Sequence, residues 1–288
     1  MEIRENKREM RDSIGRAREA HKTIGFVPTM GALHSGHKSL IKASATDYDC
    51  TVVSIFVNPT QFGPDEDFAR YPRDLERDLE IAESAGADLV FAPSPEEVYP
   101  PGSKTFVEVR ELEEVLCGAS RPGHFRGVAT VVAKLLNMVR PDALYLGRKD
   151  AQQAIILGRM IRDLDFDIEV HVLPTVREPS GLAVSSRNRY LSTGQRTSAA
   201  LLFAALFRAG ELFENGEREV GRLLAGAQGV LCLEEDIKIE YLEARDAESL
   251  IEVSRVKDRT LLAIAAMIGD TRLIDNVVLD PTTGLFEK

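Results

Sequence analysis

At 288 residues the chain is longer than one compact core usually holds, so two domains are expected. A hydrophobic share of 44% and a charged share of 28% are those of a folded globular protein, and exclude a disordered or collagen-like chain. The formal charge of −10 argues against a nucleic-acid partner, so a polyphosphate ligand would need its positive charge locally. Cys50, Cys117 and Cys232 are odd in number and far apart. They form neither a disulfide framework nor a zinc site, and fit a reducing compartment. The N-terminus is charged throughout and lacks an apolar core, while the longest apolar run, Leu261 to Ile268, is too short to cross a bilayer. A cytoplasmic protein with no membrane partner is expected.

In chain order, Ile3, Met10, Ile14 and Ala17 fall at roughly helical intervals among charges, which predicts an opening amphipathic helix over residues 3–21. Ile24 to Val27 reads as a short buried strand, broken by Pro28 and Gly31, and helical spacing resumes over Gly36 to Ala45. His34 and His37 stand between strand and helix, three residues apart. Two rings at a helix start can lie on one side of its first turn, beside backbone N–H groups that lack intrahelical partners. Such a place suits a polyphosphate. The β-branched run Thr51 to Val57 predicts a strand covered on both faces, ending in the amide-rich turn Asn58 to Pro64. A helix around Leu75 to Ala82 and a strand from Asp88 to Ala92 follow. This alternation predicts an α/β fold with a Rossmann-like, doubly wound parallel sheet, whose ligands bind beyond the carboxyl ends of the strands. The turns after Val27 and Val57 then share one crevice.

Pro93 to Pro101 reads as a lid or surface loop. The segment Cys117 to Val128 reads as irregular, and its Arg121, His124 and Arg126 either face water or close on an anionic ligand. A helix over Val128 to Val139 leads to a strand from Asp142 to Gly147, then to Arg148-Lys149-Asp150 and a helix from Ala151 to Arg162. Gly147 permits close backbone approach, Lys149 offers a point charge, and Asp150 caps the helix or binds a ribose hydroxyl. Ile168 to Leu173 is another strand, and Pro174 and Pro179 bracket a stiff linker. In Ser180 to Tyr190, Ser185, Ser186 and Arg187 make an anion cradle, or the serines cap the next helix. Two helices split at Asn215-Gly216 and strands over Ile237 to Leu242, Thr260 to Ala266 and Arg272 to Leu279 predict a smaller C-terminal α+β domain. The expected domains are 1–178 and 179–288, with a cleft between them.

His-Ser-Gly-His after a short strand resembles the HxGH signature of the adenylyl-transferring superfamily. With Phe26-Val-Pro-Thr-Met-Gly31 ahead of it, the chain resembles the pantothenate synthetase (pantoate–β-alanine ligase) family. Further matching motifs are Phe56 to Gly63, Tyr71-Pro-Arg-Asp74, Arg121 to Gly127, Lys149-Asp-Ala-Gln-Gln153, Ser185-Ser-Arg-Asn188 and, more weakly, Met267 to Asn276. The resemblance implies a nucleotide- and pantoate-binding N-terminal domain, a C-terminal lid, ATP with Mg2+, no organic cofactor and a homodimer. It implies that Met30, Gly31, Ala32, Leu33, His34, Ser35, Gly36 and His37 line the ATP site, with His37 as an acid. Gly147, Arg148, Lys149, Asp150, Val176, Val184, Ser185, Ser186 and Arg187 would complete that site. Gln61 would hold pantoate near the β-alanine site, and Gln153 would bind pantoate from the other side. Two positions depart from the family: Arg148 stands where Glu or Gln is usual, and Val184 where Met is usual.

The expected reaction is ATP-dependent ligation of pantoate and β-alanine through a pantoyl adenylate, with His34, His37, Lys149, Ser185, Ser186 and Arg187 as the donors that stabilise charge. The alternatives are another HxGH nucleotidyltransferase, which would need a pocket for a second phosphate, and a non-catalytic ATP sensor without a second-substrate pocket.

Overall fold

The computed structural model describes residues 1–64, 66–232 and 234–287. They divide into two compact units. The first comprises Met1–Glu114, Gly118–Gly147 and Ile156–Leu173; the second comprises Val115–Cys117, Arg148–Ile155 and Pro174–Lys288.

The first unit is built on a six-stranded sheet of β1 (Glu2–Arg4), β2 (Ile24–Thr29), β3 (Cys50–Ile55), β4 (Leu89–Phe91), β5 (Ala143–Gly147) and β6 (Glu169–Leu173). Its order is β1-β4-β3-β2-β5-β6 and every pairing is parallel, as the strand and helix alternation predicts. Side chains alternate across the sheet, so Val27, Val53, Val90 and Tyr145 share one face. There they pack with Leu40 and Ile41 of α2 (Ser35–Asp47) and with Ala82 and Ala85 of α3 (Leu75–Ala85). Met10 and Ile14 are the buried apolar residues of α1 (Lys7–Glu19), and α1 packs on a later helix, His124–Val139. The chain order reverses between β2 and β5, the place where open parallel sheets bind ligands beyond the strand ends.

Four local expectations are corrected. The opening helix begins at Lys7, capped by Asn6, and β1 precedes it with Ile3 in register with Val90. A three-residue edge strand flanked by charge leaves no period to detect. Pro28 does not end β2, which runs on to Thr29; pairing with β5 stops at Phe26, so Pro28 lies where one side of the strand has no ladder. The Pro-rich connection carries a short helix, α4 (Pro95–Val98), started by the Ser94 cap with Pro95 in its first turn. The segment expected to be irregular holds α5 (Cys117–Ser120) and the first turn of α6 (His124–Val139). Gly127, which weakens a helix on propensity, is required there because a Cβ would overlap the Thr60 carbonyl oxygen.

In the second unit β7 (Ile237–Asp246), β8 (Thr260–Ile268), β9 (Thr271–Asp280) and β10 (Leu285–Glu287) form an antiparallel sheet in the order β10-β9-β8-β7. After α7 (Ala151–Asp163), which starts in the second unit and ends in the first, come α8 (Thr193–Glu214) and α9 (Val220–Leu231). Leu202, Leu206, Ala209 and Phe213 of α8 form one apolar stripe and join Leu262, Ile264 and Ala266 of β8 in the core. The break between α8 and α9 falls at Asn215 and Gly216, where φ of +97° needs glycine. The final strand β10 was too short to be expected. No helix among the described residues is long and apolar enough to cross a membrane.

Candidate active site

The turn after β2 is fixed by backbone chemistry. Gly31 has φ of +78° and Ala32 φ of +50°, both left-handed. Thr29 Oγ1 accepts from the Gly31 N–H (3.1 Å) and donates to the Ser54 carbonyl (2.7 Å). Asp78 of α3, 2% exposed, accepts from the N–H groups of Ala32 (2.9 Å) and Leu33 (2.7 Å). A Cβ on Gly31 would come within 2.8 Å of that carboxylate, so glycine is needed on two grounds. The chain then enters α2 with His34 as its N-cap, Nδ1 accepting from the Gly36 N–H at 3.2 Å. An accepting Nδ1 leaves the proton of the neutral ring on Nε2. The His34 and His37 rings lie with centroids 4.1 Å apart, so the expected pair sits together on the first turn of the helix. Met30, Ser35 and Gly36 flank it, and Leu33 is buried beneath.

Beside this turn lies a buried amide network. Asn58, 1% exposed, caps the 3-10 turn Pro59–Gln61 and donates through Nδ2 to Gln61 Oε1 (3.0 Å) and the Gly127 carbonyl (3.1 Å). Its Oδ1 accepts from the Tyr99 hydroxyl at 2.9 Å. Burial lifts the Tyr99 hydroxyl above its ordinary range, so it remains a donor. Gln61 Nε2 reaches the Met30 sulfur at 2.9 Å, and the turns after β2 and β3 meet as the strand-end rule requires. The His124 ring holds the Gln61 carbonyl through Nδ1 (2.8 Å) and takes an Arg121 N–H on Nε2 (3.0 Å). Arg121 in turn grips Glu66 through two bonds of 2.8 and 2.5 Å. Burial pushes the Glu66 carboxyl up, and the bonds and charge of Arg121 outweigh it, leaving it below its ordinary range. Arg121 and His124 therefore brace the amide turn, whereas Arg126 is exposed and lies over the Phe106 ring at 5.1 Å.

The remaining candidates lie in the second unit, apart from Gly147 at the end of β5 in the first, where a Cβ would meet no protein atom within 4 Å. Arg148–Asp150 forms a 3-10 turn, with Lys149 Nζ 3.5 Å from Asp150 Oδ1. The Arg148 charge, which is unusual for the resembled family, is paired with Glu287 of β10 at 2.8 Å. Val176 and Val184 are joined by a backbone hydrogen bond of 2.9 Å. Ser185 caps the 3-10 turn Ser186–Tyr190 by accepting from the Arg187 N–H (3.3 Å), so its capping role is real but local. The long helix α8 has its own capping box from Ser192 and Gln195. Gln153 lies half-buried in the first turn of α7, and its neighbour Gln152 is buried and bonds to Cys117 N–H (3.0 Å) and the Val115 carbonyl (2.7 Å). Two residues escaped the sequence reading. Asp78 had a signal, a carboxylate on the buried stripe it shares with Ala82 and Ala85, whereas Asn58 was quoted only within a motif.

Known proteins agree with this architecture. A family model described as pantoate-beta-alanine ligase matches residues 2–278. A pantothenate synthetase from Moorella thermoacetica is 52% identical over 280 residues, 97% of this chain and 99% of that protein. One from Geobacter sulfurreducens is 53% identical over 263 residues, covering 91% and 93%. The crystal structure of pantoate-beta-alanine ligase from Thermus thermophilus superposes with a TM-score of 0.92 at 44% identity, covering 96% of this chain and 98% of that one. A Francisella tularensis pantoate-beta-alanine ligase, solved with beta-gamma ATP and beta-alanine, gives 0.78 at 36% identity, covering 96% and 97%. Fold and likeness together define an enzyme of the ligase class on a parallel α/β sheet. More narrowly, the chain belongs to the pantoate–β-alanine ligase family, and joining those two substrates is its activity. That sets aside the non-catalytic sensor and the other HxGH nucleotidyltransferases.

Proposed function

We propose that the chain makes the amide bond in two half-reactions driven by ATP. In the first, the pantoate carboxylate attacks the α-phosphorus and pyrophosphate leaves. A carboxylate is already nucleophilic at neutral pH, so the protein has to supply alignment and stabilisation of charge on the phosphoryl oxygens. His34 and His37 on the first turn of α2 are suited to this, since the helix dipole and the N–H groups favour an anion there. The Ser186 hydroxyl, Ser185 and Arg187 are the further donors we assign to the phosphates, with Lys149 as a point charge. Gln61, its amide fixed between Asn58 and Met30, and Gln153 would hold pantoate without the charge that an arginine would set against its carboxylate. In the second half-reaction the neutral amine of β-alanine attacks the acyl carbon and AMP departs. Closure of residues 179–288 over residues 1–178 would keep water from the mixed anhydride.

Mg2+ enters this reading with the nucleotide. Among the described residues no cluster of three or more His, Cys, Asp or Glu side chains could hold a metal. That fits an ion carried largely by substrate phosphates and water, where it neutralises phosphate charge. We also infer a homodimer in the cytoplasm; sedimentation should give twice the 31.8 kDa chain mass, and a monomer at working concentration would contradict it.

The observation that carries the reading is the contact of the amide turn with Met30, one turn of chain before the imidazole pair. Pantoate labelled with 18O in its carboxylate tests it. One labelled oxygen should pass into AMP; label appearing in orthophosphate beside ADP would refute the adenylate.

A further inference from the structure

The motif Met267 to Asn276 belongs to the family pattern, yet the reaction as derived gives it nothing to do. In the structure its last residues face the loops that carry Lys149 and Arg187. Asn276, on β9 and 3% exposed, donates through Nδ2 to two consecutive carbonyls, those of Arg148 (3.0 Å) and Lys149 (2.9 Å). Both N–H bonds of the amide are thereby engaged. Its Oδ1 is buried and has no hydrogen-bond partner among the described residues, so only this orientation of the amide gives it two bonds. Glu287, at the end of β10, holds the same turn by the Arg148 side chain.

The neighbouring Asp275, also 3% exposed, takes Arg177 in a two-bond grip of 2.6 and 3.0 Å. Arg177 also donates to the Gly181 carbonyl (3.1 Å), pairs with Ala183 through a backbone bridge and lies over the Phe203 ring at 3.7 Å. That bend leads directly into Val184 to Arg187. Two adjacent residues of one strand thus anchor both segments of the second unit to which phosphate chemistry is assigned above.

We propose that Asn276 is a positioning residue for the ligation, holding the Arg148–Asp150 turn so that the Lys149 ammonium meets the triphosphate. The inference rests on the reading of Lys149 given above. The physical case is that a lysine head swings on a four-carbon stem, so what the fold can fix in advance is the backbone beneath it. Asn276 fixes that backbone from 127 residues away, at the carbonyl of the lysine itself. A misplacement of about 1 Å in such a group costs on the order of 10²-fold in rate.

The test uses the full-length enzyme with ATP and pantoate, reading single-turnover adenylate formation in Asn276→Ala, Asn276→Ser, Lys149→Ala and the Asn276→Ala/Lys149→Ala double variant. Asn276→Ala should slow the step by about 10²-fold while leaving the KM for pantoate unchanged. Asn276→Ser, whose hydroxyl can donate to one carbonyl, should recover part of the rate. With Lys149 already removed, losing Asn276 should change the rate by less than about twofold, the signature of residues acting through one another. Amide hydrogen exchange over residues 148–151 should quicken in Asn276→Ala and Asn276→Ser without any substrate, a readout that survives if the alanine variant proves too unstable for kinetics. Unchanged exchange, a wild-type rate in a folded Asn276→Ala, or a full additional loss in the Lys149→Ala background would overturn the proposal. If Lys149→Ala alone kept the wild-type rate, the assignment of Lys149 would fall first and take the proposal with it.

Discussion

His37 stands where backbone N–H groups, the helix dipole and a second imidazole converge, 4.1 Å from the His34 ring. Removing one preorganised donor of this kind typically costs about 3 kcal/mol of barrier, or 10²- to 10³-fold. His37→Ala should therefore slow pyrophosphate release in single turnover by that order while its melting temperature stays near wild type; an unchanged rate would remove His37 from the donors. The buried Asp78 behaves differently, because it builds the turn without meeting substrate. Its two oxygens accept one N–H each, from Ala32 and Leu33. Asp78→Asn must turn an NH2 toward one of those donors, which should destabilise the fold by about 1–3 kcal/mol. Denaturant titration checks this, and a variant as stable as wild type would mean the turn holds without the carboxylate. The contrast shows what a sequence discloses at this scale. The imidazoles lie within one local motif, three residues apart, and were legible. Asp78 bonds across 46 residues and Asn276 across 127, and no local spacing encodes such partners.

At the scale of elements, alternating strands and helices disclosed the parallel sheet, because five of its strands are apolar runs and α1, α2 and α3 carry apolar stripes. β1 and β10, three residues each, lie below what periodicity can detect. The start of α6 was hidden for another reason: Gly123 and Gly127 read as breakers, but Gly127 is there so that the helix can approach the Thr60 carbonyl. This contact, with Arg121 and His124, ties α6 to the amide turn, and Glu66 anchors the tie. Since the Glu66 carboxyl is held below its ordinary range, its contribution to stability is fully present above about pH 4.3 and is lost as pH falls through its lower folded value. Melting curves across this range should therefore show wild type losing more stability on acidification than Glu66→Gln. Parallel curves would contradict the grip seen between Glu66 and Arg121.

For the whole molecule, the two units divide the donors. The first contributes the imidazoles and Gln61; the second contributes Lys149, Ser185, Ser186 and Arg187. The account's central claim is that both sets serve one adenylation step on one ATP. It is tested most directly by mixing enzyme with ATP and pantoate in the absence of any amine, and measuring pyrophosphate together with enzyme-bound acyl adenylate by mass spectrometry, in wild type, His37→Ala and Arg187→Ala. The account predicts a wild-type burst of one pyrophosphate and one pantoyl adenylate per active site, slowed in both variants. Pyrophosphate that appears without pantoate, that waits for β-alanine, or that forms at the wild-type rate when either unit has lost its donor would contradict it.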